Sequence, residues 1–265
     1  MFKRSAIATV FMLCSMSFAQ ERDANACWPG PCPEPRLLPE SGATLPQNVP
    51  GFPFRPGGAS SASDDGDAGA ELETVTLKDA VGNLVPTSTR SMRPTDAFDR
   101  FIVPSAPLAS GSYSLELVNP CAESKRETRS FTIGAPRSFP TQIGTLRAIR
   151  SATGTVMVEA PARCVATRKA DSVSIAIDPT PEFAAFQGVA IVSVFVDGKS
   201  WKGPVTKYRG GGWPTHFDPF VVYAFCDQSS GVSPGRHVVE VRAHLEGAPS
   251  DPAPATIEIE LKCAE

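Results

Sequence analysis

Two stretches of the chain alternate strictly between apolar and polar positions. In SYSLELV, Tyr113, Leu115 and Leu117 share one face while Ser114 and Glu116 share the other. In ATIEIELKC, Ala255, Ile257, Ile259, Leu261 and Cys263 face away from Glu258, Glu260 and Lys262. A period of two predicts strands with one dry and one wet face. Further strands are predicted at TVTLK (74–78), RFIV (100–103), SFTI (130–133), GTVMVEA (154–160), SVSIAI (172–177), VAIVSVFV (189–196), FVVYAFC (220–226) and RHVVEVRAHL (236–245). Asp197-Gly198 is the dipeptide that a two-residue hairpin prefers, and DAVGN (79–83) predicts a looser turn. Gly and Pro, 47 of 265 residues, punctuate these runs, and no long helical periodicity lies between them. The pattern predicts an all-β sandwich or barrel.

An internal repeat sets the domain count. LASGSYSLEL (108–117) aligns without gaps on VSPGRHVVEV (232–241), matching Gly111 to Gly235, Tyr113 to His237 and Glu116 to Glu240. A second strand follows each copy, RSFTI in one case and ATIEIEL in the other. Two copies of one strand-pair ending predict two similar tandem domains, with a boundary near GAPRSFP (134–140). Residues 57–71, GGASSASDDGDAGAE, have almost no apolar mass and predict a flexible acidic loop.

Composition adds a compartment. Lys3 and Arg4, an uncharged apolar run to Phe18 and small residues at Ser17 and Ala19 have the layout of a signal peptide cleaved after residue 19. The run is too short to span a bilayer, and Cys14 follows bulky Phe-Met-Leu where lipid attachment wants small residues. No other segment is long and apolar enough for a membrane span. Removing residues 1–19 takes 25 basic residues to 23 against 28 acidic ones, a formal charge of −5. That balance argues against a nucleic-acid partner, which needs a strong basic field. Six of the seven cysteines remain, an even number suited to an oxidising compartment: Cys27, Cys32, Cys121, Cys164, Cys226 and Cys263. The expected location is secreted, periplasmic or on the outer surface.

PESGATLPQN at residues 39–48, VTLKDAVGNLVP and PLASGSYSLELV with RSFTI resemble the start, middle hairpin and last two strands of bacterial Ig-like domains. Such domains occur in tandem on secreted and surface-layer-type proteins. The resemblance covers residues 36–133, and the second half is similar through its closing strands and, more loosely, to a fibronectin-type sandwich. It implies two tandem Ig-like or fibronectin-type sandwiches: a Pro/Cys-rich lead-in at 20–35, domain 1 at 36–135 and domain 2 at 140–265. VPGFPFRPGG departs from the family pattern. Pro50, Pro53 and Pro56 each remove a ladder hydrogen bond, so this strand is expected to be short, at an edge, or unpaired. An Ig-type strand order would bring Cys27 or Cys32 near Cys121, and the ends of the strands carrying Cys226 and Cys263 to one pole, with Cys164 starting near it. Three cysteines in each half cannot all pair within their own half. The expectation is one long bridge in each domain and a third that clips the interface or the WPGP turn. In the chain-entropy description a Cys226–Cys263 bridge would contribute about 4 kcal/mol.

Candidate chemistry is sparse. His237 and His244, seven apart on one strand, face opposite sides and cannot converge on one ion. The repeat gives His237 the place of Tyr113, the corner tyrosine of an Ig-type sandwich, which predicts a structural role for both. There is no Gly-x-Ser-x-Gly, His-Glu-x-x-His or Cys-x-x-Cys, and the Asp64, Asp65, Asp67, Glu71 spacing does not match a calcium loop. No cofactor, metal site or catalytic residue is expected. Lys125, Arg126 and Arg129, interrupted by Glu123 and Glu127, predict a solvated hairpin turn. RGGGWPTHFDPF (209–220) puts Trp213, His216, Phe217 and Phe220 into a glycine-rich segment. Two readings stand for it: exposed rings that bind a sugar or a partner, or a plug buried over the sandwich end. The expected function is a non-enzymatic binding or structural module that meets a cell-surface protein, or alternatively a polysaccharide through the aromatic loop.

Overall fold

The computed structural model describes residues 36–55, 75–91, 100–118, 126–150, 154–160, 164–201, 203, 220–226 and 231–263. The first half forms β1 (Arg36–Leu37), β2 (Thr44–Pro46), β3 (Phe52–Arg55), β4 (Val75–Asp79), β5 (Leu84–Val85), β6 (Thr87–Ser91), β7 (Arg100–Pro104), β8 (Gly111–Val118) and β9 (Arg126–Gly134). They make two sheets, ordered β1-β3-β7-β6 and β2-β9-β8-β4-β5. The opening segment divides between the sheets, with β1 antiparallel to β3 and β2 parallel to β9. With the middle hairpin β4–β5 beside β8, this is an Ig-like arrangement. The two inner faces interdigitate: Phe52, Phe54 and Ile102 from one sheet meet Leu77, Leu115, Leu117, Phe131 and Ile133 from the other, all buried. Each such side chain contributes about 1.5–3 kcal/mol of burial free energy.

The second half forms β10 (Gly144–Arg150), β11 (Thr155–Ala160), β12 (Cys164–Lys169), β13 (Asp171–Pro179), α1 (Pro181–Phe186), β14 (Ile191–Val196), β15 (Lys199–Trp201), β16 (Phe220–Ala224), β17 (Gly235–His244) and β18 (Ala255–Leu261). Sheets β10-β13-β16 and β15-β14-β17-β18 enclose its core. The hairpin β11–β12 adds a third layer. Val156 and Val158 pack with Ala170, Tyr223 and Phe225, which alternate away from core-facing Val173, Ile175, Val222 and Ala224. Arg168 lies over the Phe225 ring at 4.2 Å. The fold is thus all-β with Ig-like sandwiches. No helix among the described residues is long and apolar enough to cross a membrane.

Several sequence expectations need correction. β3 is short, but it is interior, paired with β1 on one side and β7 on the other. Its proline is tolerated because Pro53 faces the two-residue β1: its carbonyl accepts from Leu38 N at 3.1 Å, so the missing N–H falls where the ladder already ends. β9 begins at Arg126, so Arg126 and Arg129 lie on a strand and not in a turn, pairing with Glu116 and Glu127. Cys164 opens β12, the second strand of the added hairpin, opposite Ala160, so the length of that strand separates it from the pole where Asp171 pairs with Ala224 and where it was expected to start. The helix was not foreseen. Thr180 caps it by accepting from Phe183 N at 3.1 Å, Pro181 sits in its first turn with Glu182, and Phe183 and Phe186 are fully buried.

The repeat marks a shared device. Tyr113 Oη donates to the Ala109 carbonyl four residues upstream at 3.0 Å, bracing the start of β8. His237 Nε2 lies 2.7 Å from the Ser233 carbonyl, again four residues upstream, at the start of β17. The histidine makes a second contact that tyrosine cannot, Nδ1 to Asp197 Oδ2 at 2.7 Å. Asp197 belongs to the two-residue turn between Val196 and Lys199, as Asp197-Gly198 predicted, and also accepts from Val238 N at 2.9 Å. The His237 contact and then the Val238 N–H hold the Asp197 carboxyl below its ordinary value.

Two outcomes are expected. Tyr113→Phe removes one hydrogen bond and should cost about 1 kcal/mol in urea unfolding, whereas His237→Phe removes two and should cost about 2 kcal/mol. Gly51→Ala should cost about 3 kcal/mol, because a Cβ there would stand 2.2 Å from the Ile102 carbonyl oxygen. Gly42→Ala, at a positive φ with nothing within 4 Å, should cost only the backbone term, about 1 kcal/mol.

Candidate functional site

The chemically richest constellation lies where the two sandwiches meet. β7 carries Phe101 and Ile102 on opposite faces, and each is only 1% exposed. Ile102 faces the first core, so Phe101 points out of its own sandwich. It packs there with Leu38 and with Ile191 of β14, in a cluster joined by Val103. Ile191 is the cross-strand partner of His244 at the end of β17. The apolar contact is therefore flanked directly by a titratable ring.

Charged groups extend this contact. Arg90, opposite Phe101 in the β6–β7 register, holds its guanidinium 5.2 Å from the Phe101 ring centroid. Its Nη2 reaches Glu246 Oε1 of the second sandwich at 3.0 Å. Glu246 Oε2 meets His244 Nε2 at 3.0 Å, and His244 Nδ1 meets Asp251 Oδ1 at 2.8 Å. The line Arg90, Glu246, His244, Asp251 alternates in charge when the ring is protonated. Burial pushes the His244 ring toward neutrality, and hydrogen bonds to Glu246 and Asp251 outweigh it, so its pKa lies above the ordinary histidine value. The carboxylates approach through opposite ring nitrogens and cannot chelate one ion. Among the described residues no group of three or more His, Cys, Asp or Glu could hold a metal.

Backbone contacts complete the junction. Asn48 donates from Nδ2 to the Arg137 carbonyl at 2.8 Å and accepts from Arg137 N at 3.0 Å, pinning the connecting segment to the first sandwich. Phe139 of that segment stacks on Phe186 with centroids 5.0 Å apart. Gly188 lies against Pro39, Ala43 and Leu45, and Gly247 against Pro50. An open cleft of about 340 Å³ borders this side, lined by Gln47, Asn48, Val49 and Pro50 and by residues 104–108.

Of the predicted site residues, Phe220 opens β16 opposite Ile175 and packs partly buried against the main core. Trp213, His216 and Phe217 lie outside the described residues, as do the acidic loop and Cys27, Cys32 and Cys121. The segment from 204 to 219 departs near Trp201 and returns at Phe220. Trp201 donates from Nε1 to the Val221 carbonyl at 2.9 Å and meets Tyr223 edge-on at 5.2 Å, and Tyr223 meets Phe225 at 5.3 Å. Cys226 and Cys263 are joined as a disulfide across 37 residues, tying the chain just past β16 to the chain just past β18. Arg90, Glu246 and Asp251 did not figure among the sequence candidates. The one available signal was His244 and Glu246 two apart at a strand end, a same-face pair.

No protein-family model matches the chain, and no curated protein matches it. Among solved structures, it is similar to a chimeric titin Z1Z2 functionalized with a KLER exogenous peptide from decorin, at 13% identity over 87% of this chain and 97% of that one, with a TM-score of 0.23. It is similar to Sidekick-1 immunoglobulin domains 1–4, at 12% identity over 87% of this chain and 51% of that one, with a TM-score of 0.22. Murine CEACAM1b stands at 10% identity over 87% of this chain and 100% of that one, with a TM-score of 0.22. The fold assignment rests on the strand pairing described above.

Proposed function

We propose that the protein is an exported, non-enzymatic binding or structural module of a bacterial cell envelope or the extracellular space. In this reading residues 1–19 are a cleaved signal, 20–35 a lead-in, and the two sandwiches are tandem domains near 36–135 and 140–265. Its partner is a cell-surface protein. The observation that carries the reading is the junction, where buried Leu38, Phe101 and Ile191, with the Arg90–Glu246 pair at their edge, join the two sandwiches. Fixed spacing between two sandwiches suits a scaffold or an adhesive surface. Both described histidines support it too, since each has both ring nitrogens engaged with the fold.

A second reading is carbohydrate binding through residues 209–220. It is favoured by the rings that segment carries, Trp213, Phe217 and Phe220. Aromatic faces exposed on it would stack on sugar rings.

Cross-linking the exported protein in its native envelope should recover one specific surface protein, with recovery unchanged by Trp213→Ala. A polysaccharide pull-down lost on Trp213→Ala would replace this with the carbohydrate reading. Substrate turnover abolished by His216→Ala would overturn both.

A further inference from the structure

We propose that His244 is a pH-sensitive fastener of the junction: as the imidazolium it links Glu246, which holds Arg90 of the first sandwich, to Asp251, and on losing its proton it loosens the two sandwiches. Both ring contacts are hydrogen bonds only in this form. Carboxylates only accept hydrogen bonds, and oxygens of Glu246 and Asp251 stand 3.0 Å and 2.8 Å from the two ring nitrogens. A neutral ring has one N–H, so one carboxylate would face a lone pair.

Among the described residues, Asp251 and Glu246 face the ring from the strand end and the turn after it, and Asp251 also accepts from Leu245 N at 3.4 Å. From the first sandwich comes Arg90, which reaches Glu246. From β14 comes apolar Ile191. Arg242, two residues back on the same face, is turned to Glu240 and lies over the Phe195 ring at 4.3 Å. With the proton the group holds two cations and two anions. Without it, one cation remains for two anions, beside the apolar contact that joins the sandwiches.

The sign follows. The His244 pKa is raised, so the stabilisation is complete below the ordinary histidine value of about 6.5 and fades as pH rises through the raised value. A molecule made in a near-neutral compartment and exported to a mildly acidic exterior would tighten its junction there.

Amide hydrogen exchange of the full chain, on peptides covering 86–91 and 241–247 and corrected for intrinsic rates, tests the proposal. Between pH 5.5 and pH 9 protection should fall about 1.5- to 5-fold, the scale of a half-exposed charged contact. In His244→Gln the fall should vanish and the low protection persist at pH 5.5. A loss of protection in His244→Gln that still varied with pH, or equal wild-type protection at both pH values, would overturn it. The wild-type ring gives a check that needs no variant: a His244 NMR titration midpoint at or below the free-histidine value would sink the idea, and a higher one that drops in Glu246→Gln would support it.

Discussion

Adjacent residues on a strand point to opposite faces, and on β7 both faces are buried. Phe101 and Ile102 are each 1% exposed, yet only Ile102 lies in the core of its own sandwich. A sheet buried on both sides needs a second layer outside it. The second sandwich supplies that layer with Ile191, and the first supplies the same to β14. Much else in the junction follows. Asn48 has to pin the connecting segment, Gly188 has to admit Pro39, Ala43 and Leu45, and Gly247 has to admit Pro50, because the two bodies approach this closely.

The second sandwich repeats the solution elsewhere. β13 and β16 bury Val173, Ile175, Val222 and Ala224 inward and Ser172, Tyr223 and Phe225 outward. Their cover is the hairpin β11–β12, inserted between two sandwich strands. Ser172 Oγ is buried with no hydrogen-bond partner among the described residues, a cost set against the apolar contacts around it. Three of the sheets are therefore covered on both faces in part, two by each other and one by an inserted hairpin.

That difference governs what could be read along the chain. SYSLELV and ATIEIEL have one wet face, and their alternation announced both strands and their inward residues. FPF, FIV and VAIV are continuously apolar, which is how a strand buried on both faces reads, but the run does not say what covers the second face. Ile191 could not be distinguished from a core residue on this basis. The corner residues were legible because the repeat aligned His237 on Tyr113. The helix was not: with six residues it has no periodicity to detect, and only Thr180-Pro181-Glu182 hints at its start. Arg90 comes from β6, and Glu246 and Asp251 from the segment between β17 and β18, so no spacing could unite the two sides of the junction.

Charge and apolar burial have different roles at the junction. Arg90 and His244 are half-exposed or nearly so, and exposed ion pairs contribute little. Leu38, Phe101 and Ile191 are at most 3% exposed, and apolar burial, in their cluster and in the main cluster that runs through both sandwiches, supplies the larger share of the attachment. An apolar patch by itself tolerates sliding, since burial is non-directional. The Arg90 guanidinium does not: it is held over the Phe101 ring and directed at one oxygen of Glu246, whose other oxygen is held by His244. The ionic line thus selects one register of two surfaces that would otherwise adhere in several. A single titratable ring at its centre can change that selection without removing the attachment.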